Sequence, residues 1–167
     1  MAARHHAPPL FAVLAALALA SCAHPAPRDG RAAVLRAVDG DTIDVRIGGR
    51  TERVRLLGID TPETVKPGAP VDCYGPEASR RTKHLLPSGT EVVLRRDREA
   101  RDRYGRLLAY VVRTRDRLFV NRALVADGYA RTLSIEPNVA HRAELAQAEA
   151  AARAGGHGLW GSCRPPP

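Results

Sequence analysis

Three short clusters combine carboxylates, guanidiniums and tight turns in ways that can hold a cation and a phosphate. The first, Asp39-Gly40-Asp41-Thr42, reads as a turn feeding directly into a strand. A carboxylate at the start of a strand is rigidly held and can give one oxygen to a hard cation such as Ca²⁺. Asp and Gly also make a good turn with no ion at all. The ligand alternation and terminal Glu of an EF-hand loop are missing. The second is Asp60-Thr61-Pro62-Glu63. Pro62 forces Thr61 into an extended conformation, so the Thr61 carbonyl can point toward a cation held by Asp60. Glu63, a short turn further on, could orient and deprotonate a water beside that cation. The same four residues would serve equally as the N-cap and acidic first turn of a helix. The third is Asp102-Arg103-Tyr104-Gly105-Arg106. Arg106, together with Arg55 on an earlier strand, could clamp the non-bridging oxygens of a phosphate from two sides, because guanidinium matches that geometry bidentately. A solvated charged hairpin is the plainer alternative, and the run from Arg95 to Arg101 reads as one.

The elements that must position these clusters are short strands followed by helices. Ala33 to Val38 and Asp41 to Ile47 read as strands; in the second, Ile43, Val45 and Ile47 alternate with polar residues. Gly48 and Gly49 turn the chain into a partner strand, Thr51 to Leu57. Val54 and Leu56 lie on one face of that partner, with Arg53 and Arg55 on the other. A loop runs from Asp60 to Tyr74, and a helix then starts at Gly75-Pro76-Glu77 and continues to about Leu86, before Pro87. Glu91 to Arg95 and Leu107 to Arg113 complete a set of five strands. Two further helices are expected, Val120 to Asp127 before Gly128, and Asn138 to Ala154, with Asn138 as cap and Gly155 and Gly156 as stop. Leu145, Ala148 and Ala152 give the latter an apolar stripe, and Leu159 and Trp160 are expected to pack back on the core. The fold class is α+β, a five-stranded OB-type β-barrel with about three helices.

The chain is one domain in size, 167 residues, with ends unlike the middle. Residues 1–21 carry Arg4, an apolar run from Leu10 to Ala20 and small residues before Cys22, the pattern of a signal peptide. The run is shorter than the roughly 20 apolar residues of a membrane-spanning helix. Leu19-Ala20-Ser21-Cys22 resembles a bacterial lipobox, which would acylate Cys22 and anchor the protein to a membrane; ordinary cleavage after Ala20 also fits. Residues 22–31 hold two Pro and a Gly without apolar periodicity and read as a linker; 32–163 form the domain and 164–167 a tail. If Cys22 is lipidated, Cys73 and Cys163 remain as a pair able to bridge in an oxidising compartment. No Cys-x-x-Cys spacing suggests a zinc or redox site, and His84, His141 and His157, without ligand or triad spacing, are assigned to surface or packing. The formal charge is +8, from 26 Lys and Arg against 18 Asp and Glu; residues 1–21 hold only Arg4, so the cationic character belongs to the exported domain and suits a polyanionic partner, although Arg-rich composition alone would also produce it.

Taken in order, Asp39-Gly40-Asp41-Thr42, Arg55-Leu56-Leu57, Asp60-Thr61-Pro62-Glu63, Tyr74-Gly75-Pro76-Glu77-Ala78-Ser79 and Asp102-Arg103-Tyr104-Gly105-Arg106 resemble the staphylococcal nuclease family from about residue 32 to 163. The resemblance implies Asp41, Asp60 and the Thr61 carbonyl as Ca²⁺ ligands, and Glu63 as general base or water-positioner. It implies Arg55 and Arg106 as phosphate and transition-state stabilisers, with Arg103 and Tyr104 on the neighbouring phosphate. The implied reaction is hydrolysis of DNA and RNA by attack of water on phosphorus with loss of the 5′ oxygen, leaving 3′-phosphate products, by a monomer outside the cytoplasm. The chain departs from the family type in the loop Thr64 to Asp72, which holds a single Lys66 and two prolines. The segment Arg131 to Ile135 is read as shorter than in the type and lacks its base-stacking tyrosines. A catalytically silent OB module that only binds nucleic acid is the main rival, and a structural envelope lipoprotein a third.

Overall fold

The structure, a computed structural model, describes residues 30–64 and 71–163. The expected signal peptide, Cys22, most of the expected linker, Lys66 with its two prolines, and residues 164–167 lie outside the described residues. The elements in chain order are β1 (Gly30–Ala37), β2 (Thr42–Ile47), β3 (Arg50–Leu56), β4 (Ile59–Asp60), α1 (Gly75–Leu85), β5 (Glu91–Arg95), β6 (Leu107–Arg113), α2 (Val120–Ala126), β7 (Arg131–Thr132), α3 (Arg142–Ala154) and α4 (Leu159–Ser162).

Five strands close into a barrel in the order β1-β2-β3-β6-β5, with β5 returning to β1. All pairings are antiparallel except β3 with β6, which is parallel and sets Arg55 beside Leu108. Closure removes the sheet edges and leaves every strand with one face inward. That is why alternation is so plain here: Ile43 and Val45 of β2, Val54 and Leu56 of β3, Val92 and Leu94 of β5 and Ala109 and Val111 of β6 fill one core. The helices α2 and α3 pack on the outside, with Leu124 and Leu145 buried against it. Asn121, fully buried on α2, accepts from the Val111 amide at 2.9 Å and donates to the Leu57 carbonyl at 2.8 Å, tying β6 to the end of β3.

Two element boundaries differ from the sequence reading by three residues or more, and one packing position differs as well. Strand β1 begins at Gly30 because its first residues pair with Leu94 and Val93 of β5. Helix α3 begins at Arg142: Asn138 does not cap it, because its side chain is buried and satisfied by the Glu99 backbone instead, at 2.8 and 3.2 Å. Trp160 is only half-buried, stacked beneath the Arg153 guanidinium at 4.0 Å, while Leu159 is buried as expected. Of the histidines among the described residues, His141 packs on Tyr110 and Phe119, His84 is exposed, and His157 is exposed beside the Ala126 carbonyl.

Candidate active site

The site gathers at the barrel end where β2 begins and β3 ends. Asp41 precedes β2, and its backbone carbonyl accepts from the Leu56 amide at 2.8 Å, so the carboxylate is fixed relative to Arg55. Arg55 points off the Val54/Leu56 face, and its guanidinium is held through both terminal nitrogens. One nitrogen donates to the carbonyls of Leu56 and Ile59, both at 2.8 Å. The other touches Asp60 at 2.9 Å and Asp41 at 3.1 Å. A single guanidinium nitrogen therefore bridges two carboxylates contributed from points 19 residues apart in the chain, and the charge-assisted bonds make the arrangement rigid.

Thr61 is locked into the same cluster: its amide and hydroxyl both donate to the Asp41 carboxylate oxygen, at 3.0 and 3.1 Å. Gly40 makes this possible. A Cβ at Gly40 would lie 2.5 to 2.8 Å from three Thr61 side-chain atoms, whereas carbon atoms meet comfortably at about 3.5–4.0 Å. Behind the turn, the Thr82 hydroxyl of α1 donates to the Gly40 carbonyl at 2.6 Å. Asp60 sits at the end of β4, held opposite Arg131 of β7. More than half of its side chain is exposed, yet the surrounding protein withdraws enough water to raise its carboxyl above the ordinary pKa. Arg55 and Arg131 oppose that rise, while the charges of Asp41 and Glu63 add to it. Asp39 is raised likewise, by burial and then by Asp41.

Glu63 is exposed and stands within electrostatic reach of Asp60. Its amide donates to the Asp72 carboxylate and its carbonyl accepts the Asp72 amide, each at 3.0 Å, so the pair closes the neck of the loop between them. One Glu63 carboxylate oxygen accepts the Thr64 amide at 2.8 Å. The turn into α1 packs directly behind: a Cβ on Gly75 would come within 2.9 Å of the Glu63 carbonyl, and Tyr74 enters the helix with φ of 71°. The adjoining Cys73 is joined to Cys163 by a disulfide that closes 90 residues of chain and fastens this loop to the C-terminal end of the domain.

Arg106 comes from the turn before β6. Its Nε donates to Asp102 at 2.7 Å and its amide to the same carboxylate at 3.0 Å. Burial would raise the Asp102 carboxyl, but these bonds and the Tyr104 amide hold it below its ordinary value. Tyr104 is 68% exposed, with the guanidiniums of Arg103 and Arg106 over its ring at 4.8 and 5.4 Å. Arg55, Arg103, Tyr104 and Arg106 all line one cleft of about 570 Å³, walled on another side by the aliphatic Leu133 and Ile135.

The structure thus brings Asp41, Asp60, Thr61 and Arg55 into direct contact, places Glu63 beside them, and sets Arg106, Arg103 and Tyr104 along the adjoining cleft. The sequence reading assigned no role to Asp72, which holds Glu63, to Asp102, which holds Arg106, or to Gly40. Asp102 carried a signal, its i,i+4 spacing from Arg106; Asp72 and Gly40 are legible only once the loop is folded. Among the described residues no three His, Cys, Asp or Glu side chains form a ready-made metal cage. The available donors are all oxygens, two of them anionic, which matches a hard cation that takes the rest of its 6–8 oxygens from water and substrate.

The family model for staphylococcal nuclease homologues matches residues 53–162. A thermonuclease of Staphylococcus intermedius is 46% identical over 127 residues, covering 76% of this chain and 74% of that protein. One from Staphylococcus hyicus is 41% identical, covering 76% and 73%. The endonuclease YncB of Bacillus subtilis is 42% identical, covering 75% of this chain and 59% of its own. A match that contains Arg55, Glu63 and Arg106, joined to such relatives over three quarters of the sequence, shows that the chain belongs to the staphylococcal nuclease family and is a hydrolytic nuclease.

Proposed function

We propose that this nuclease is Ca²⁺-dependent and hydrolyses DNA and RNA at the 5′ P–O bond, leaving 3′-phosphate products. The observation that carries the reading is the Arg55 nitrogen bonded to Asp41 and Asp60 together, on a guanidinium that shares a cleft with Arg106. Asp41, Asp60 and the Thr61 carbonyl would hold the ion, which when bound supplies charge neutralisation and a water of lowered pKa. Glu63 orients the attacking water and accepts its proton; its backbone bonds to Asp72 keep it in place. The water oxygen bonds to phosphorus, the P–O5′ bond breaks and the departing oxygen takes up a proton, leaving the phosphate on the 3′ side. Arg55 and Arg106 stabilise the charge that builds on the non-bridging oxygens. Both are already fixed by carboxylates, so little reorganisation is needed as that charge develops. Arg103 and Tyr104 take the neighbouring phosphate.

The same proposal sets the enzyme outside the cytoplasm as a monomer, exported by residues 1–21 and anchored through Cys22. The Cys73–Cys163 disulfide supports an oxidising compartment. No helix among the described residues is long and apolar enough to cross a membrane. The test is cleavage of a single-stranded oligonucleotide in ¹⁸O-water with Ca²⁺ or with excess chelator. The proposal expects 3′-phosphate ends carrying ¹⁸O, formed only with Ca²⁺; 5′-phosphate ends, or equal cleavage under chelation, would overturn it.

A further inference from the structure

Adjoining the cleft is a second, open groove of about 470 Å³, lined by Asp44, Thr51, Arg53, Tyr104, Gly105 and Arg106. Tyr104 and Arg106 line both, so the two meet at the exposed tyrosine ring. Alternate residues of a strand share a face, and in β3 this places Thr51 and Arg53 in one row with Arg55. Both are exposed, while Val54 and Leu56 are buried on the opposite face. The row steps away from the site by about 6.6 Å per alternate residue, a spacing on the scale of one nucleotide of an extended strand. Arg53 grips the Asp44 carboxylate at 2.8 Å, and Arg36 reaches the same carboxylate from β1, also at 2.8 Å. Among the lining side chains the guanidiniums of Arg53 and Arg106 outnumber the Asp44 carboxylate, so the groove is net positive. The side chains of Arg36 and Arg53 are 64% and 48% exposed, so donors not used on Asp44 face solvent. The Asp44 carboxyl is held below its ordinary pKa, mainly by the Arg53 hydrogen bond, so the pair stays ionised.

We propose that this groove carries the backbone of a single strand beyond the nucleotides that flank the scissile phosphate, with Tyr104 as the ridge over which the strand crosses and Arg53 and Thr51 as its backbone contacts. The inference rests on the nuclease reading of the neighbouring cleft. Continuity with that cleft and the positive lining select a polynucleotide as occupant, and recognition through phosphate makes the groove indifferent to sequence.

Binding separates the groove from catalysis. In protein carrying Glu63→Gln, fluorescence anisotropy would compare a dinucleotide with a twelve-nucleotide single strand for three further variants: Arg53→Gln, Thr51→Glu, and Arg80→Gln on α1 as a control of equal charge loss. Thr51→Glu touches no ion pair of the fold, which covers the case in which Arg53→Gln disturbs it. The proposal expects the two groove variants to weaken the long strand roughly tenfold and to flatten its log-salt slope by about 0.7 for each phosphate the groove no longer neutralises. The dinucleotide should be unaffected and the control close to the parent. Equal weakening of both lengths, no weakening of the long strand, or an equal effect of Arg80→Gln would overturn it. Failure of the nuclease reading would show separately, as protein with Glu63 intact that cleaves neither substrate.

Discussion

Replacing Gly40 by Ala tests whether the Asp41–Thr61 contact organises the site. The added Cβ would stand 2.5 Å from the Thr61 hydroxyl, 2.7 Å from its Cβ and 2.8 Å from its Cγ. These overlaps approach 1 Å against ordinary contact distances. Gly40 has no room to retreat, because Thr82 holds its carbonyl and Leu56 holds the Asp41 carbonyl. Thr61 must therefore move, although Pro62 restricts it to extended conformations, and both its bonds to Asp41 are disturbed. Bonds to a charged acceptor contribute about 1.5–3 kcal/mol each, and overpacking costs about 1–3 kcal/mol. With partial relaxation the variant should lose about 3 kcal/mol. Urea unfolding followed by fluorescence of Trp160, the only tryptophan, measures this. Removing the side chain that is struck, in Gly40→Ala with Thr61→Gly, should cost at least about 1 kcal/mol less than the sum of the single changes. A Gly40→Ala variant within about 0.5 kcal/mol of the parent, or strict additivity with Thr61→Gly, would show that the close approach of Gly40 to Thr61 does not hold the cluster together.

Replacing Cys73 and Cys163 together by Ser should lower stability by about 4–5 kcal/mol, the loop-entropy value for a closed segment of 90 residues; a loss below about 1 kcal/mol in urea unfolding would contradict it. Asn121→Ala strands the Val111 amide and the Leu57 carbonyl in the core and should cost about 3 kcal/mol by the same measurement. Burial pushes the Tyr110 hydroxyl up to about 12 from 10.0. The folded protein then keeps that proton after the unfolded chain has released it, so stability is full below pH 10.0 and falls as pH rises toward about 12. Midpoints of urea unfolding across that interval should fall more steeply for the parent than for Tyr110→Phe, and parallel curves would refute the assignment.

Much of the barrel was legible because closure buries one face of each strand. Ile43 and Val45, or Val54 and Leu56, alternate with Asp44 or Arg55 as residues of strands with one face turned to a core do. The parallel junction of β3 with β6 was not legible, since it depends on what lies between Leu56 and Leu107 and not on either strand. The short strands β4 and β7 contain two residues each and have no period to detect. Asn138 was misassigned because its side chain offers the same groups to a helix start as to the Glu99 backbone, and only tertiary burial decides between them. In the site, Asp41, Arg55 and Asp60 could be named from their clusters, but their convergence on one guanidinium nitrogen needed the fold. Leu133 and Ile135 line the cleft as aliphatic residues, and the exposed aromatic ring in its lining, beside the guanidiniums, is Tyr104.

Whether Glu63 works on water beside the Asp41–Arg55–Asp60 cluster is read from the single-turnover rate of cleavage of a short single-stranded DNA, with saturating Ca²⁺, by the parent and by Glu63→Gln of equal urea stability. A general base contributes about 10²–10⁴-fold, so the rate should fall by that order in the variant with substrate binding retained. Cleavage by the variant at the parent's rate would rule out that role for Glu63.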